Sequence, residues 1–422
     1  MKIIYKFIII TSLTVFFLIS YLSLFGIETN KFNSQISSKI KEIDNDLEID
    51  LKKIKLILNP FKLKLNIKTV GSKLIKQNKV IEIENIKTQI SLRSLIENKF
   101  LIENVEISTK SIEIRNLISF IRTFYQVPEL YILEQTIKKG YLIADIKLEF
   151  DEEGKIKDSY TVKGFFKDNK VSLFKKYSFN KLNFIFSLKK NEFILKDLTF
   201  SLNELNFFSK KISIIKSKDE FLIKGNINNK SFELDNEKTI LFIKPFLPSF
   251  DIQKIKFGSE NIFSFKLNKK FKLKDFEISS KILIDEFSIP NILSLKKFFP
   301  KAKKNIFFSD HELSLEYKKD NLLINGNGNI LYQDKNDFVN YVIKKKKKNL
   351  DFKTSFKIND NPFVINFLNY KKSQKDEASI KIEGVIGENN LTLIKLFHLK
   401  EGKNKVEIKN LVLNKSYEII NF

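Results

Sequence analysis

His311 and His398 are the only imidazoles in this chain of 422 residues, which contains no cysteine. Thiolate nucleophiles, zinc–thiolate sites and disulfides are thereby excluded. His311 stands in Ser309-Asp-His-Glu-Leu313, whose residue types could ligate a metal or move a proton. Neighbouring residues of a strand point to opposite faces, so Asp310, His311 and Glu312 do not converge there. The segment reads as a turn ahead of a strand Leu313–Tyr317. His398, in Leu396-Phe-His-Leu399, reads as a partly buried structural residue. Acids fall singly between lysines, and no G-x-S-x-G, P-loop, H-E-x-x-H or EF-hand loop occurs. No catalytic residue, metal ligand set or cofactor is expected, and the chain reads as non-enzymatic.

The net charge of +25 suggests a polyanionic partner, but of 75 basic residues only Arg93, Arg115 and Arg122 are arginine. Proteins that grip phosphate or read bases use the bidentate guanidinium fork, so nucleic acid is not an expected partner. Lysine, isoleucine, asparagine and phenylalanine are in excess while alanine and glycine are scarce, and all four have A/T-rich codons, which points to genome bias. Lysines on a strand's solvent face also block edge-to-edge aggregation. Some of the charge can serve a membrane surface, where anionic headgroups attract it.

The elements around these residues begin with an anchor. Phe7 to Ile27 carries no charge, and at 1.5 Å per residue it reaches about 30 Å, the thickness of a bilayer core. Its apolar residues are Phe7, Ile8, Ile9, Ile10, Leu13, Val15, Phe16, Phe17, Leu18, Ile19, Leu22, Leu24 and Phe25. Lys2 and Lys6 precede the run and Glu28 follows it, which puts the N-terminus in the cytoplasm and the bulk across the membrane. A cleaved signal peptide is the rival reading; Ser20–Gly26 offers no small-x-small site, which favours retention.

Phe32, Ile36, Ile40 and Ile43 recur at helical spacing within Lys31–Ile43. They predict a short amphipathic helix, either packed on the first strands or lying on the outer leaflet, with packing favoured. From Leu47 onward the period is two, as in Phe61-Leu63-Leu65-Ile67, Leu182-Phe184-Phe186-Leu188 and Phe263-Phe265-Leu267. Such alternation predicts about twenty strands in a nearly unbroken antiparallel meander. Asp151–Gly154, Asp168-Asn169 and Asn228-Asn229 read as turns, and Lys344–Lys348 as a solvated loop. Asn116–Gln126, stopped by Pro128, and Pro290–Phe299 read as helices. Phe221–Ile227, Leu322–Gly328 and Ser379–Ile386 share a strand running into a glycine, which predicts a bulge or bend.

The expected fold is therefore mainly β: a transmembrane helix, then one long, curved antiparallel sheet folded into a groove, with a few short helices. A sandwich is the structural alternative. The segments are an anchor (1–28), a helix and linker (29–46), a first β region (47–115), a central groove (116–289) and C-terminal repeats (290–422). Leu47–Leu51, Leu58–Ile67 and Ile90–Ile107, following the span and short helix, resemble the N-terminal region of the AsmA-like family. In Ile90–Ile107 the resemblance is a strand, a short helix and a second strand. The later glycine-centred strands look like that family's C-terminal repeats.

The resemblance implies an inner-membrane anchor and a periplasmic groove of bridge-like lipid-transfer type in a Gram-negative bacterium, supporting outer-membrane lipid homeostasis. Its expected partners are phospholipid, the inner membrane and outer-membrane or envelope proteins. The lining expected from alternation is one strand face: Leu63, Leu65, Ile67, Leu182, Phe184, Phe186, Phe263 and Phe265. Two other functions fit the same strands: an assembly factor for outer-membrane proteins, and a non-catalytic structural sandwich.

Overall fold

In the computed structural model, alternation builds one long antiparallel sheet of 24 strands, a separate two-stranded ribbon, few short helices and an N-terminal apolar helix. The structure describes the chain except residues 1, 31–32, 94–101, 152–154, 174–176, 243–251, 253, 271, 292–295, 297, 347–348, 367–368, 374–375, 388–390, 415–418 and 422. The expected helix between Ile90 and Ile107 lies largely outside the described residues. The chain divides into two units, Met1–Asn206 with Lys210–Ser217 and Phe207–Ser209 with Lys218–Phe422.

The first unit opens with α1 (Lys2–Leu24), none of whose residues is buried. It is long and apolar enough to span a membrane. The helix stops three residues short of the apolar run, leaving Phe25 just beyond its end and Ile27 in a strand. Gly26 ends it in a left-handed conformation (φ 68°). A Cβ at that position would lie 2.4 Å from the Leu56 carbonyl oxygen, so glycine is required twice over.

Thirteen strands follow: β1 (Ile27–Thr29), β2 (Leu47–Asp50), β3 (Lys53–Asn59), β4 (Lys64–Val70), β5 (Lys73–Lys76), β6 (Lys79–Ser91), β7 (Ile102–Thr109), β8 (Ile112–Glu113), β9 (Ile137–Glu149), β10 (Thr161–Leu173), β11 (Tyr177–Lys189), β12 (Glu192–Leu202) and β13 (Leu205–Lys216). The beginning is not a simple meander. β3 pairs with β1 and β4, β4 pairs with β6, and β5 pairs with β2 and the start of β6. From β6 the order is β6–β7–β9–β10–β11–β12.

Helix α2 (Asn33–Ile43) packs Ile36 and Ile40 onto Ile49, Leu51, Ile54, Ile67 and Ile90, as the packed reading expects. Helix α3 spans Ile114–Ile121 rather than 116–126. Pro128 does not merely stop it: proline suits a first helical turn, and it opens a further helix, α4 (Pro128–Thr136).

The second unit holds β14 (Glu220–Leu234), α5 (Asn236–Phe242), β15 (Lys254–Asn268), β16 (Leu273–Pro290), β17 (Asn305–Lys318), β18 (Asn321–Leu331), β19 (Asp337–Lys346), β20 (Asn349–Ile358), β21 (Val364–Ile365), β22 (Tyr370–Lys371), β23 (Ala378–Ile386), β24 (Thr392–Glu401), β25 (Asn404–Leu413) and β26 (Ile419–Asn421). From β14 to β20 each strand pairs with the next. β23 then continues on β20 past the β21–β22 ribbon.

Several expected turns lie inside strands. Asp168-Asn169 falls within β10 and Asn228-Asn229 within β14, while Ser309–Leu313 falls within β17. Lys344–Lys346 completes β19, and Pro290 closes β16 instead of opening a helix; most of 291–297 lies outside the described residues. For Asp168 and Asp310 the physical reason is bulging. Asp168 (φ 51°), Lys181 (φ 49°), Asp197 (φ 50°), Asp275 (φ 49°) and Asp310 (φ 48°) take left-handed backbone. Register shifts occur at each. One extra residue changes strand parity, so the apolar side chains keep their face across the break.

Candidate functional site

Residues directly opposite in antiparallel strands share a face, so the registers trace one apolar face in each unit. In the first unit a row runs Ile54–Thr69–Ile86–Ile107–Ile146–Val162–Leu188–Phe193, across β3, β4, β6, β7, β9, β10, β11 and β12. Beside it Leu142, Phe166 and Phe184 form a second row, with the Phe166 and Phe184 rings stacked at 4.6 Å. The opposite face carries charged pairs such as Lys147–Glu106, broken by an apolar row Ile143–Phe165–Ile185.

Two helices cover parts of this face. α2 lies over Ile54, Ile67 and Ile90. Ile114 and Ile118 of α3 cluster with Leu142, Ala144 and Phe186. Val162, Phe166, Phe184 and Phe193 pack against that cluster yet remain only half-buried, as does Leu188. Such values suit a single layer, because a second sheet packed at about 10 Å would bury them.

In the second unit the longest row is Ile227–Asn261–Ser280–Leu315–Ile324–Ile343–Phe352–Gly384–Ile394–Leu411, across β14 to β20 and β23 to β25. Most of its aliphatic members are half-buried. Toward one end of the strands the face closes into a packed core: Ile358, Ala378, Ile380 and Leu399 lie under Phe363 and Ile365. A buried polar network pins that cover. Asn361 Nδ2 donates to Asp337 Oδ2 at 2.6 Å, Gln333 Nε2 to the Pro362 carbonyl at 2.9 Å, and the Tyr370 hydroxyl to Glu401 at 2.7 Å. Burial, ahead of the neighbouring Glu401, pushes the Tyr370 phenol upward.

Four glycines on these faces do not take left-handed backbone; each lies beneath a ring from a neighbouring strand. A Cβ would meet the Phe186 ring at 2.6 Å on Gly164 and Tyr341 at 2.3 Å on Gly326. It would meet His311 at 2.2 Å on Gly328 and Phe352 at 2.7 Å on Gly384. Three of these, Gly326, Gly328 and Gly384, belong to the repeated strand–glycine pattern, and register shifts stand opposite Gly328, at Asp310–His311, and at Glu383/Gly384, as the expected bulge requires.

The eight residues expected to line the face separate into three groups. Leu63 is in no strand: Pro60 interrupts the alternation, Lys62 N–H donates to Asn59 Oδ1 at 3.1 Å, and Leu63 stands in the resulting turn, 65 % exposed at φ 50°. Ile67 and Phe186 are on the face but buried beneath α2 and α3. Leu65, Leu182, Phe184, Phe263 and Phe265 are on the apolar face of their unit and half-buried, with the Phe263 and Phe265 rings stacked at 5.9 Å.

His311 points into the second unit's face, 3 % exposed, between the rings of Phe308 and Tyr341. Neither ring nitrogen has a hydrogen-bond partner of acceptable geometry, and burial pushes the imidazole below its ordinary pKa. Asp310 and Glu312 point outward, so no acid–base cluster forms. His398 lies 3.4 Å from Glu407, whose carboxyl is held down to about 2 by Lys409 and Lys405 and then by His398. Among the described residues no three His, Asp or Glu side chains are placed to hold a metal. No protein-family model matches this chain, and neither a curated protein nor a solved structure matches it.

Proposed function

We propose that this chain is a membrane-anchored lipid-binding protein whose apolar sheet faces shield acyl chains from water. The observation that carries the reading is the in-register apolar face of each unit, left half-buried over most of its strands. Leaving such a surface in water costs about 25 cal/mol per Å², which an acyl chain in contact would offset. No covalent step is needed, and selectivity would come from the width of the face and from lysines at its rim. The AsmA-like resemblance extends this to an inner-membrane protein with its bulk in the periplasm, conducting phospholipid toward the outer membrane.

Adjacent residues on opposite faces give the test. A photo-crosslinking amino acid at Phe263 should capture radiolabelled phospholipid in membranes, whereas the same group at Ile262, 67 % exposed on the other face, should not. Phe265→Asp should lower capture at Phe263 several-fold, and Phe184→Asp should act likewise in the first unit. Equal capture at Ile262 and Phe263 would sink the proposal. Crosslinks from these positions to barrel proteins instead of lipid would favour the assembly-factor reading.

A further inference from the structure

The turn between β3 and β4 carries apolar side chains where a turn in water would carry polar ones. Phe61 is 98 % exposed and Leu63 65 % exposed, and Leu63 holds its apolar side chain on left-handed backbone that favours glycine or asparagine. The turn itself is ordered: Asn59 Oδ1 accepts from Lys62 N–H, and the Leu63 carbonyl accepts from Leu92 N–H at 2.9 Å.

Its position follows from the register. β1 leaves the end of α1 and pairs antiparallel with β3, Thr29 with Ile54 and Ile27 with Leu56. Each further residue of β3 therefore runs back toward the helix. Ser23 Oγ donates to the Leu58 carbonyl at 2.9 Å, so Leu58 is level with the last turn of α1. Within α1, residues 2–18 are all exposed, whereas Ile19, Ser20, Leu22 and Ser23 are partly covered. The contact thus reaches back into the apolar run itself. Tyr21 and Phe25, with rings 5.4 Å apart, stand at the same level and remain exposed.

We propose that the Asn59–Leu63 turn is a wedge inserted in the headgroup–acyl boundary beside α1, with Phe61, Leu63, Tyr21 and Phe25 forming one interfacial belt. The proposal rests on reading α1 as a membrane span. Aromatic side chains collect at this depth in membrane proteins. Apolar groups of surface-lying segments enter it by roughly 5–10 Å. The exposed Lys62 can turn its ammonium outward to the headgroups. Two points of attachment, helix and wedge, fix the tilt of β3 and β4 on the bilayer, which a single helix followed by a flexible tether would not.

Because the chain has no cysteine, single-cysteine probes test this in the full-length protein. Val15→Cys, Phe61→Cys and Val70→Cys are labelled with an environment-sensitive fluorophore. The protein is then reconstituted in phosphatidylethanolamine–phosphatidylglycerol vesicles with spin-labelled lipids. Val70 is six residues along β4 from Lys64, about 20 Å away, and at 55 % exposed, close to Val15 at 50 %, it is open to label. Lipid quenching and a blue shift are expected at positions 15 and 61 but not at 70. Quenching at 15 with position 61 behaving like 70 would overturn the wedge and leave the span intact. Quenching at all three would replace it with a sheet lying flat on the membrane. No quenching at 15 would remove the span and the wedge together.

Discussion

At the scale of single residues, the glycines beneath aromatic rings and the buried imidazole make the sharpest demands. Gly164→Ala would set its methyl against the Ile143 carbonyl oxygen, at 2.3 Å, as well as the Phe186 ring. Backbone cannot yield there, so the substitution should cost about 1–3 kcal/mol. Gly387→Ala, with nothing within 4 Å, should be nearly neutral; urea midpoints of the two variants check the contrast. His311 makes a pH prediction. Its folded pKa lies below the free value of 6.5, so the unfolded chain binds the proton more readily. Stability is therefore full above about pH 6.5 and falls as pH drops through the folded pKa, by about 1.4 kcal/mol for each unit separating the two. Denaturant midpoints at pH 7.5 and 5.5 should differ for the native chain, and the difference should shrink in His311→Phe. Carboxylates such as Glu407 lose their contribution only at lower pH, between about 4.5 and 2, so the two effects separate. The neighbours of His311 in the sequence, two acids and a serine, disguised all this: a bulge at Asp310 and a strand look like a turn when only residue types are visible.

Among the elements, the bulged strands show why the alternation was legible and its interruptions were not. Aspartate and asparagine favour turns and also tolerate left-handed backbone, so a break in parity at Asp168 reads equally as a chain reversal or as one extra residue. Only the partner strand decides. Asp197→Gly should be tolerated or slightly stabilising, since glycine accepts φ 50° freely. Deleting Asp197 should instead turn Leu198 and Phe200 to the charged face and lower the thermal midpoint by many degrees, as circular dichroism would report. Helix α2 was legible from its spacing, and its docking was one of two readings. Ile36→Ser and Ile40→Ser should each cost about 2 kcal/mol by removing contacts with the Ile49–Ile54–Ile90 cluster; unchanged midpoints would instead place that face on lipid. α4 left no signal, because its exposed apolar residues Tyr131, Ile132 and Leu133 share no clear helical face.

For the whole molecule, the β class, the apolar N-terminal helix and the one-sided strands were written in hydropathy alone. Leu65, Phe184, Phe263 and Phe265 fell on the apolar faces because period two ties a residue to a face. Which parts of those faces lie beneath helices was not legible, since α2 and α3 reach strands distant in sequence. Those covers also grade local stability. Amide exchange should be slowest around Ile358, Ala378 and Leu399, which are all but sealed from water, and fast in β26, whose three residues are exposed. The pairing order has a consequence of its own. From β15 to β20 every strand bonds to the one made just before it. The search for a partner is therefore always local in sequence, and a nascent chain can zip up strand by strand while its remainder is still being synthesised. Growth by whole hairpins leaves parity and the terminal edge unchanged, so a sheet of this kind can lengthen or shorten in steps of two strands without redesign of what is already folded.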